Sequence, residues 1–239
     1  MPQTLPIFPL GQVLMPGRPL PLRIFEPRYR TMVADLARLA EIDGEVGDAR
    51  RQLGSFGVVL LERGHEVESS WTRSPDEDCV SRVGTVAEIL EVNGRIEDGF
   101  ELLAVGSRRF TLGRFLPGKP YLRAEIDFLG EPDGSYSAGL PRRVRRLYAG
   151  YAELVVARTG QLAPGMSEPP PENTNLLTYH VAATLPLPPM QRQELLAAPD
   201  AATRLQLLAA VLQSEVRLLR ATGTIATGPD SLRLPVRPN

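Results

Sequence analysis

The sequence predicts an α+β fold: a β-rich N-terminal domain interrupted by one helix, followed by a C-terminal α-helical bundle. Three observations carry that expectation. Short apolar runs separated by turn residues recur through the first 130 residues, and a Gly-Glu-Pro-Asp-Gly-Ser stretch at 130–135 breaks the pattern. Beyond it, apolar residues recur at three- and four-residue steps. The expected boundaries are 1–130 for the β domain, 131–139 for a linker, 140–223 for the bundle and 224–239 for a tail.

The strands are read from their apolar pattern. Phe56 to Leu61 is a run of valine and leucine suited to a buried strand. Val83 to Val92 sets Val83, Thr85, Ala87, Ile89 and Glu91 against Val86, Glu88, Leu90 and Val92; neither face is wholly polar, so a largely buried strand is expected. Asn93-Gly94 then reads as a hairpin turn, because both residues tolerate positive φ. The return begins near Phe100 and runs to Val105, and Phe110–Leu116 and Tyr121–Leu129 follow as separate strands. Strands at this spacing suit a small barrel or a sandwich. Residues 41–54 and 63–79 carry little periodicity and read as loops.

The helices are marked by both period and punctuation. Pro27 fits a first helical turn, where its missing N–H costs nothing, and Tyr29, Met32, Val33, Leu36 and Leu39 form one apolar face. In the second half, Val144, Leu147, Tyr148, Tyr151, Leu154 and Val155 form a stripe opposite Arg142, Arg143, Arg145 and Arg146. Pro169-Pro170-Pro171 marks a loop, and Thr174 or Asn175 is the expected cap of a helix running to about Thr184. A further helix fits Pro189 to Ala197, and the last begins at Asp200 and carries Leu205, Leu208, Val211, Leu212, Val216 and Leu219. The stretch from Thr224 onward reads as a loosely held tail.

Composition excludes several function classes. The net charge of −1 argues against binding driven by phosphate neutralisation. Lys119 is the single lysine, and arginine cannot replace lysine in Schiff-base or general-base chemistry. One cysteine, Cys79, excludes an internal disulfide framework and a cysteine-based zinc site. Pro6 and Pro9 interrupt the N-terminal apolar run that a signal peptide would need, and no stretch approaches the length of a membrane span, so a cytoplasmic protein is expected.

The catalytic motifs are equally sparse. The only Gly-Lys is followed by Pro120, which removes both an amide donor and the hydroxyl ligand of a phosphate loop. His65 and His180 lie far apart without partners at metal-ligand spacing, and no Gly-x-Ser-x-Gly elbow occurs. Asp76, Glu77 and Asp78 precede Cys79 and would suppress its thiolate. Neither a catalytic residue nor a cofactor is expected.

The N-terminal block resembles a known family. Leu5-Pro6-Ile7-Phe8-Pro9-Leu10, Val13-Leu14-Met15-Pro16-Gly17 and Leu20 through Tyr29 look like the opening of the Lon protease N-terminal domain. Phe56-Gly57-Val58-Val59, Val83 to Ala87 and Ala104 to Phe110 follow in the order of that family's strands. Ala182 to Leu187, Arg192 to Leu196 and Arg204 to Arg220 are similar to its helical part. The resemblance implies a PUA-like small β-barrel joined to a helical bundle and used to recognise protein substrates. The sequence ends at residue 239 with no ATPase module or Ser-Lys peptidase, so a free-standing domain without proteolytic activity is expected.

Two functions follow. The first is a non-catalytic module binding unfolded or partly folded proteins and peptides, with an ATPase or protease as candidate partner. It would use an exposed sheet edge or the groove between barrel and bundle, with Phe25, Tyr29 and Trp71 as candidate contacts. The second is RNA binding, which the PUA-like resemblance raises, with Arg108, Arg109 and Phe110 or the Arg142–Arg146 cluster as contacts. Docking of a partner on that arginine face, or on the 205–219 stripe, is a third use of the same residues.

Overall fold

The computed structural model describes residues 3–42, 54–62, 79–95, 98–163 and 165–222. The chain divides into two compact units, Met1–Gly130 and Glu131–Asn239. The first contains β1 (Gln3–Leu10), β2 (Pro19–Ile24), α1 (Pro27–Ile42), β3 (Ser55–Leu61), β4 (Val80–Arg95), β5 (Gly99–Phe115) and β6 (Leu122–Phe128). The strand order is β2-β5-β4-β3-β1-β6, and β6 also pairs with β5. That last pairing closes five strands into a barrel and leaves β2 as an added strand on β5. β1 and β3 run parallel, and the other pairs are antiparallel.

The barrel is filled by Ile7, Val59, Val80, Val86, Phe110, Leu112, Ala124 and Ile126. Phe110 is fully buried, and its ring lies where side chains of Gly57 and Gly84 would be. A Cβ on either glycine would come within 2.6 Å of Phe110 Cζ, and one on Gly84 within 2.4 Å of the Val58 carbonyl oxygen. These glycines are therefore dictated by space. A second cluster packs Tyr29, Met32, Val33 and Leu36 of α1 against Phe8, Leu20, Phe56, Ile89 and Leu102. Asp35 ties the helix further, accepting from Tyr121 Oη and from Lys119 Nζ, each at 2.9 Å. The side chain of Leu39 lies outside the described residues, as do most of the two expected loops and the tail.

Three expectations change. Phe100–Val105 and Phe110–Leu116 belong to one strand, because the ladder with β4 continues through Gly106 and Arg109. Asn93-Gly94 is not the turn: pairing runs on to Arg95↔Gly99, and Gly94 sits inside the ladder at φ +113°. Extending the ladder keeps Phe100 paired with both Gly94 and Ile24 while it packs on the α1 cluster. β4 does not alternate cleanly against β5, since the register shifts at Thr85/Ala87, where the extra residue is on β5, and at Ile89/Glu91, where it is on β4. Pro6 and Pro9 sit within β1. They are tolerated because β1 changes partner at Ile7, pairing with β6 before it and β3 after it, so each proline faces a single ladder.

The second unit contains α2 (Gly139–Thr159), α3 (Thr174–Thr184), α4 (Pro189–Ala197) and α5 (Ala201–Thr222). α2 packs chiefly on α5; α2 buries Val144, Tyr148, Tyr151 and Val155, and α5 buries Leu205, Leu208 and Leu212. The 205–219 stripe is thus largely bundle core. Asn173, rather than Thr174 or Asn175, caps α3: its Oδ1 accepts from Leu176 N at 3.0 Å. Asp200 caps α5 by accepting from Thr203 N at 2.8 Å, which holds its carboxyl below the usual range.

The residues expected as a linker are anchored. The Arg204 guanidinium is fully buried and stacks over Tyr179 at 4.5 Å. It donates to Thr178 Oγ1 at 2.9 Å, to Glu131 Oε2 at 3.2 Å and to Asn175 Oδ1. Tyr179 Oη also donates to Glu131, and the carbonyls of Pro132 and Asp133 accept from Ala201 and Ala202. A buried guanidinium needs acceptors on every side, and Glu131 supplies one. Arg145, expected on a solvated face, donates instead to the carbonyls of Pro170, Pro171 and Glu172 and pins the proline loop to α2.

Two outcomes follow from this packing. Gly84→Ala should lower stability by about 1–3 kcal/mol, read as a drop in denaturation midpoint, because Cβ must displace Phe110 or the β3 backbone. Glu215 buries one carboxylate oxygen with no hydrogen-bond partner, and desolvation raises its pKa. A raised folded pKa means tighter proton binding in the folded state, so stability falls as pH rises from the ordinary glutamate range through the raised value. Glu215→Gln should therefore raise the melting temperature at neutral pH and flatten this part of the pH profile.

Candidate functional site

Beyond the barrel, β2, β5 and the distal part of β4 form a three-stranded extension whose two faces differ. Leu20, Ile24, Leu102, Ala104 and Ile89 turn into the α1 cluster. The alternate residues form cross-strand rows on the opposite face: Pro19–Val105–Glu88, Pro21–Leu103–Glu91 and Arg23–Glu101–Asn93. Pro19, Pro21, Arg23, Glu88, Glu91, Asn93 and Glu101 are exposed, and Leu103 and Val105 are half-buried. The face therefore has an apolar middle bounded by carboxylates on the β4 side.

Two adjoining depressions open on this face. One, of about 420 Å³, is lined by residues including Pro21, Glu91 and Leu103, and the other, of about 560 Å³, by residues including Phe25, Asp98 and Phe100. Arg23, Asn93 and Glu101 line both. Phe25, just past the end of β2, is 60% exposed, and Leu90 is 53% exposed. Leu90 owes its exposure to the β4 bulge against β5: Ile89 opposes Ala104 and Glu91 opposes Leu103, so Leu90 is the unpaired extra residue. Among the described residues of this unit these are its two exposed large hydrophobics.

The sequence-predicted contacts separate here. Phe25 lies at the depression. Tyr29 does not: it is 3% exposed, stacked on Phe8 with ring centroids 4.1 Å apart, and covered by the Arg28 guanidinium at 4.5 Å. Its position on the apolar face of α1 commits it to the core, and it offers no surface to a ligand. Trp71 and His65 lie outside the described residues. Leu90, Glu88 and Glu91 are not marked as contacts by the sequence; a bulge has no signature in a run such as Glu88-Ile89-Leu90-Glu91.

The expected use of an open sheet edge also changes. Gly106 N donates to Arg18 O at 2.9 Å and Gly106 O accepts from Gly17 N at 2.7 Å, so Arg18 directs its carbonyl to β5 where the ladder begins. By alternation Leu20, Leu22 and Ile24 direct their backbone groups to β5, while Pro19, Pro21 and Arg23 direct theirs to the free edge. Both prolines lack an N–H, which blunts that edge against strand addition.

The remaining candidates are occupied structurally. Arg109 is 1% exposed and donates to the Gly130 carbonyl at 3.1 Å, so it offers no phosphate contact; Arg108 stacks on Phe128 at 3.8 Å. His180 is buried against Tyr148, whose hydroxyl is 3.4 Å from Nε2 and 2.8 Å from Thr184 Oγ1. Lys119 is exposed and pairs with Asp35. Among the described residues no three His, Cys, Asp or Glu side chains are grouped to hold a metal ion, and no helix is long and apolar enough to cross a membrane.

Comparison with known proteins places this architecture. Residues 4–214 match the model of a family described as the ATP-dependent protease La (LON) substrate-binding domain. A Lon protease 2 of Myxococcus xanthus is 26% identical over 233 residues, covering 94% of this chain and 25% of that protein. A Lon protease 2 of Herpetosiphon aurantiacus is 29% identical over 217 residues, covering 90% of this chain and 24% of that protein. The chain thus spans about a quarter of the length of these relatives. The crystal structure of a Lon N-terminal domain protein from Xanthomonas campestris superposes with a TM-score of 0.59 at 23% identity, covering 87% of this chain and 98% of that one. With a family model matched across nearly all its ordered elements, the chain belongs to the Lon substrate-binding domain family.

Proposed function

We propose that this chain is a non-catalytic recognition module that binds unfolded or partly folded polypeptides on the outer face of β2, β5 and distal β4, for delivery to an ATPase or protease partner. The observation that supports this most is Phe25, 60% exposed beside an open depression in a chain of the Lon substrate-binding family. A large apolar ring held at the rim of a groove costs solubility and gains nothing for the fold. In contact with a partner it becomes an anchor, since buried aromatic side chains carry much of the binding energy at interfaces. Leu90, extruded by the bulge, adds a second apolar contact on the same sheet.

The chemistry of the site also favours holding over transforming. Its side chains are aliphatic, aromatic, carboxylate, amide and guanidinium, and no nucleophile is paired with a base among them. Contact would come from side chains filling the depressions, because the proline-blunted edge of β2 gives a poor template for strand addition.

A fluorescein-labelled peptide of Leu, Phe, Ser and Gln should bind the purified chain in an anisotropy titration. Phe25→Asp should weaken binding at least about tenfold while leaving thermal unfolding unchanged, since the ring is largely outside the core. The same preparation should neither hydrolyse ATP nor cleave the peptide. Wild-type protein that fails to bind, or that turns over either substrate, overturns this reading.

A further inference from the structure

The geometry points to a charge preference at this face: we infer that it selects extended segments in which aliphatic or aromatic residues are interleaved with arginine or lysine, and disfavours acidic ones. The inference rests on the recognition reading above and specifies what that site accepts.

Its basis is the arrangement of charge around the apolar middle. Glu88, Glu91 and Glu101 occupy three successive cross-strand rows, and Asp98 lines the depression next to Phe25. All four are exposed. Arg23 and Arg95 are the exposed cations of the same strand segments, so carboxylates outnumber guanidinium groups. This is local, because the whole chain is close to neutral at −1. An extended segment laid along β5 would place alternate side chains on Leu103 and Val105 and bring its flanking residues beside Glu91 and Glu101. Cationic flanks would meet opposite charge there, and anionic flanks would meet like charge. Lysine and arginine also bring long apolar stems that lie well against Pro21 and Leu90.

Side-chain selection is also what the backbone leaves available. With Pro19 and Pro21 removing N–H donors from the free edge of β2, a ligand gains little sequence-independent hydrogen bonding along that strand. Specificity then falls to shape and charge. Exposed charge pairs are individually weak and screened by salt, so the preference should be modest and strongly dependent on ionic strength.

The test uses three labelled peptides with identical Leu and Phe positions and either Arg, Gln or Glu between them. At low salt the Arg peptide should bind about tenfold more tightly than the Glu peptide, with the Gln peptide between, and the gap should narrow as salt is raised. The double variant Glu91→Arg, Glu101→Arg alters exposed side chains only and should reverse the order, and unchanged thermal unfolding checks that it folds. Equal binding of all three peptides, or an order that survives the double variant, overturns the charge preference and leaves the recognition reading standing. Failure of every peptide to bind overturns both.

Discussion

β5 supports three neighbours at once, and the architecture of the first unit depends on it. Over 17 residues it pairs with β4 along one side, while its other side holds β2 on its first half and β6 on its second. The pairing with β6 closes the barrel, and the pairing with β2 builds the extension that carries the candidate site. Phe110, fully buried near the middle of this strand, fixes where closure occurs. Its ring requires two neighbouring strands to present hydrogen in place of a side chain, and Gly57 and Gly84 meet that demand. Barrel closure and site geometry are thus set by one strand and by the space its aromatic residue occupies.

Proline serves opposite ends in the same segment. Pro6 and Pro9 are accommodated because β1 never has two ladders at either position. Pro19 and Pro21 lie where a donor would otherwise face an open edge. The segment between them is held by its backbone: Thr85 Oγ1, itself fully buried, donates to Leu14 O at 2.7 Å, and Gly17 N donates to Gly106 O at 2.7 Å. A chain rich in fixed φ angles loses little entropy on being so placed, which suits a long irregular crossing between two strands.

The helical unit solves a different problem. Its polar interior is organised by Arg204, whose guanidinium gathers groups from α3, from the turn before α5 and from Glu131. Burying such a group is stabilising only when its donors are met, and here Thr178, Ala198, Glu131 and Asn175 meet them. Glu215 is the counterexample, a carboxylate oxygen buried without a partner. Tyr151 has its pKa pushed up to about 12, first by its own burial and then by the nearby Glu215 carboxylate. The two polar centres differ in how completely their hydrogen bonds are satisfied.

The amino-acid sequence by itself determined the class of fold, the helices and the family, because each rests on local pattern: the 3.6-residue period of α2 and α5, Pro27 at the start of α1, Asp200 at the start of α5, and the Leu5–Tyr29 block. It also offered Phe25 as a candidate contact, a side chain the fold leaves exposed. Tertiary structure decided the rest. Tyr29 and Arg109 read as available side chains until packing buried them, since a residue's exposure depends on what the remote chain lays over it. The hairpin end moved past Asn93-Gly94 because Phe100 gains from two strand partners and a core contact that lie far apart in sequence. The acidic rim and the extruded Leu90 arise from register shifts between β4 and β5, and register is a property of two strands together, which neither strand's sequence contains.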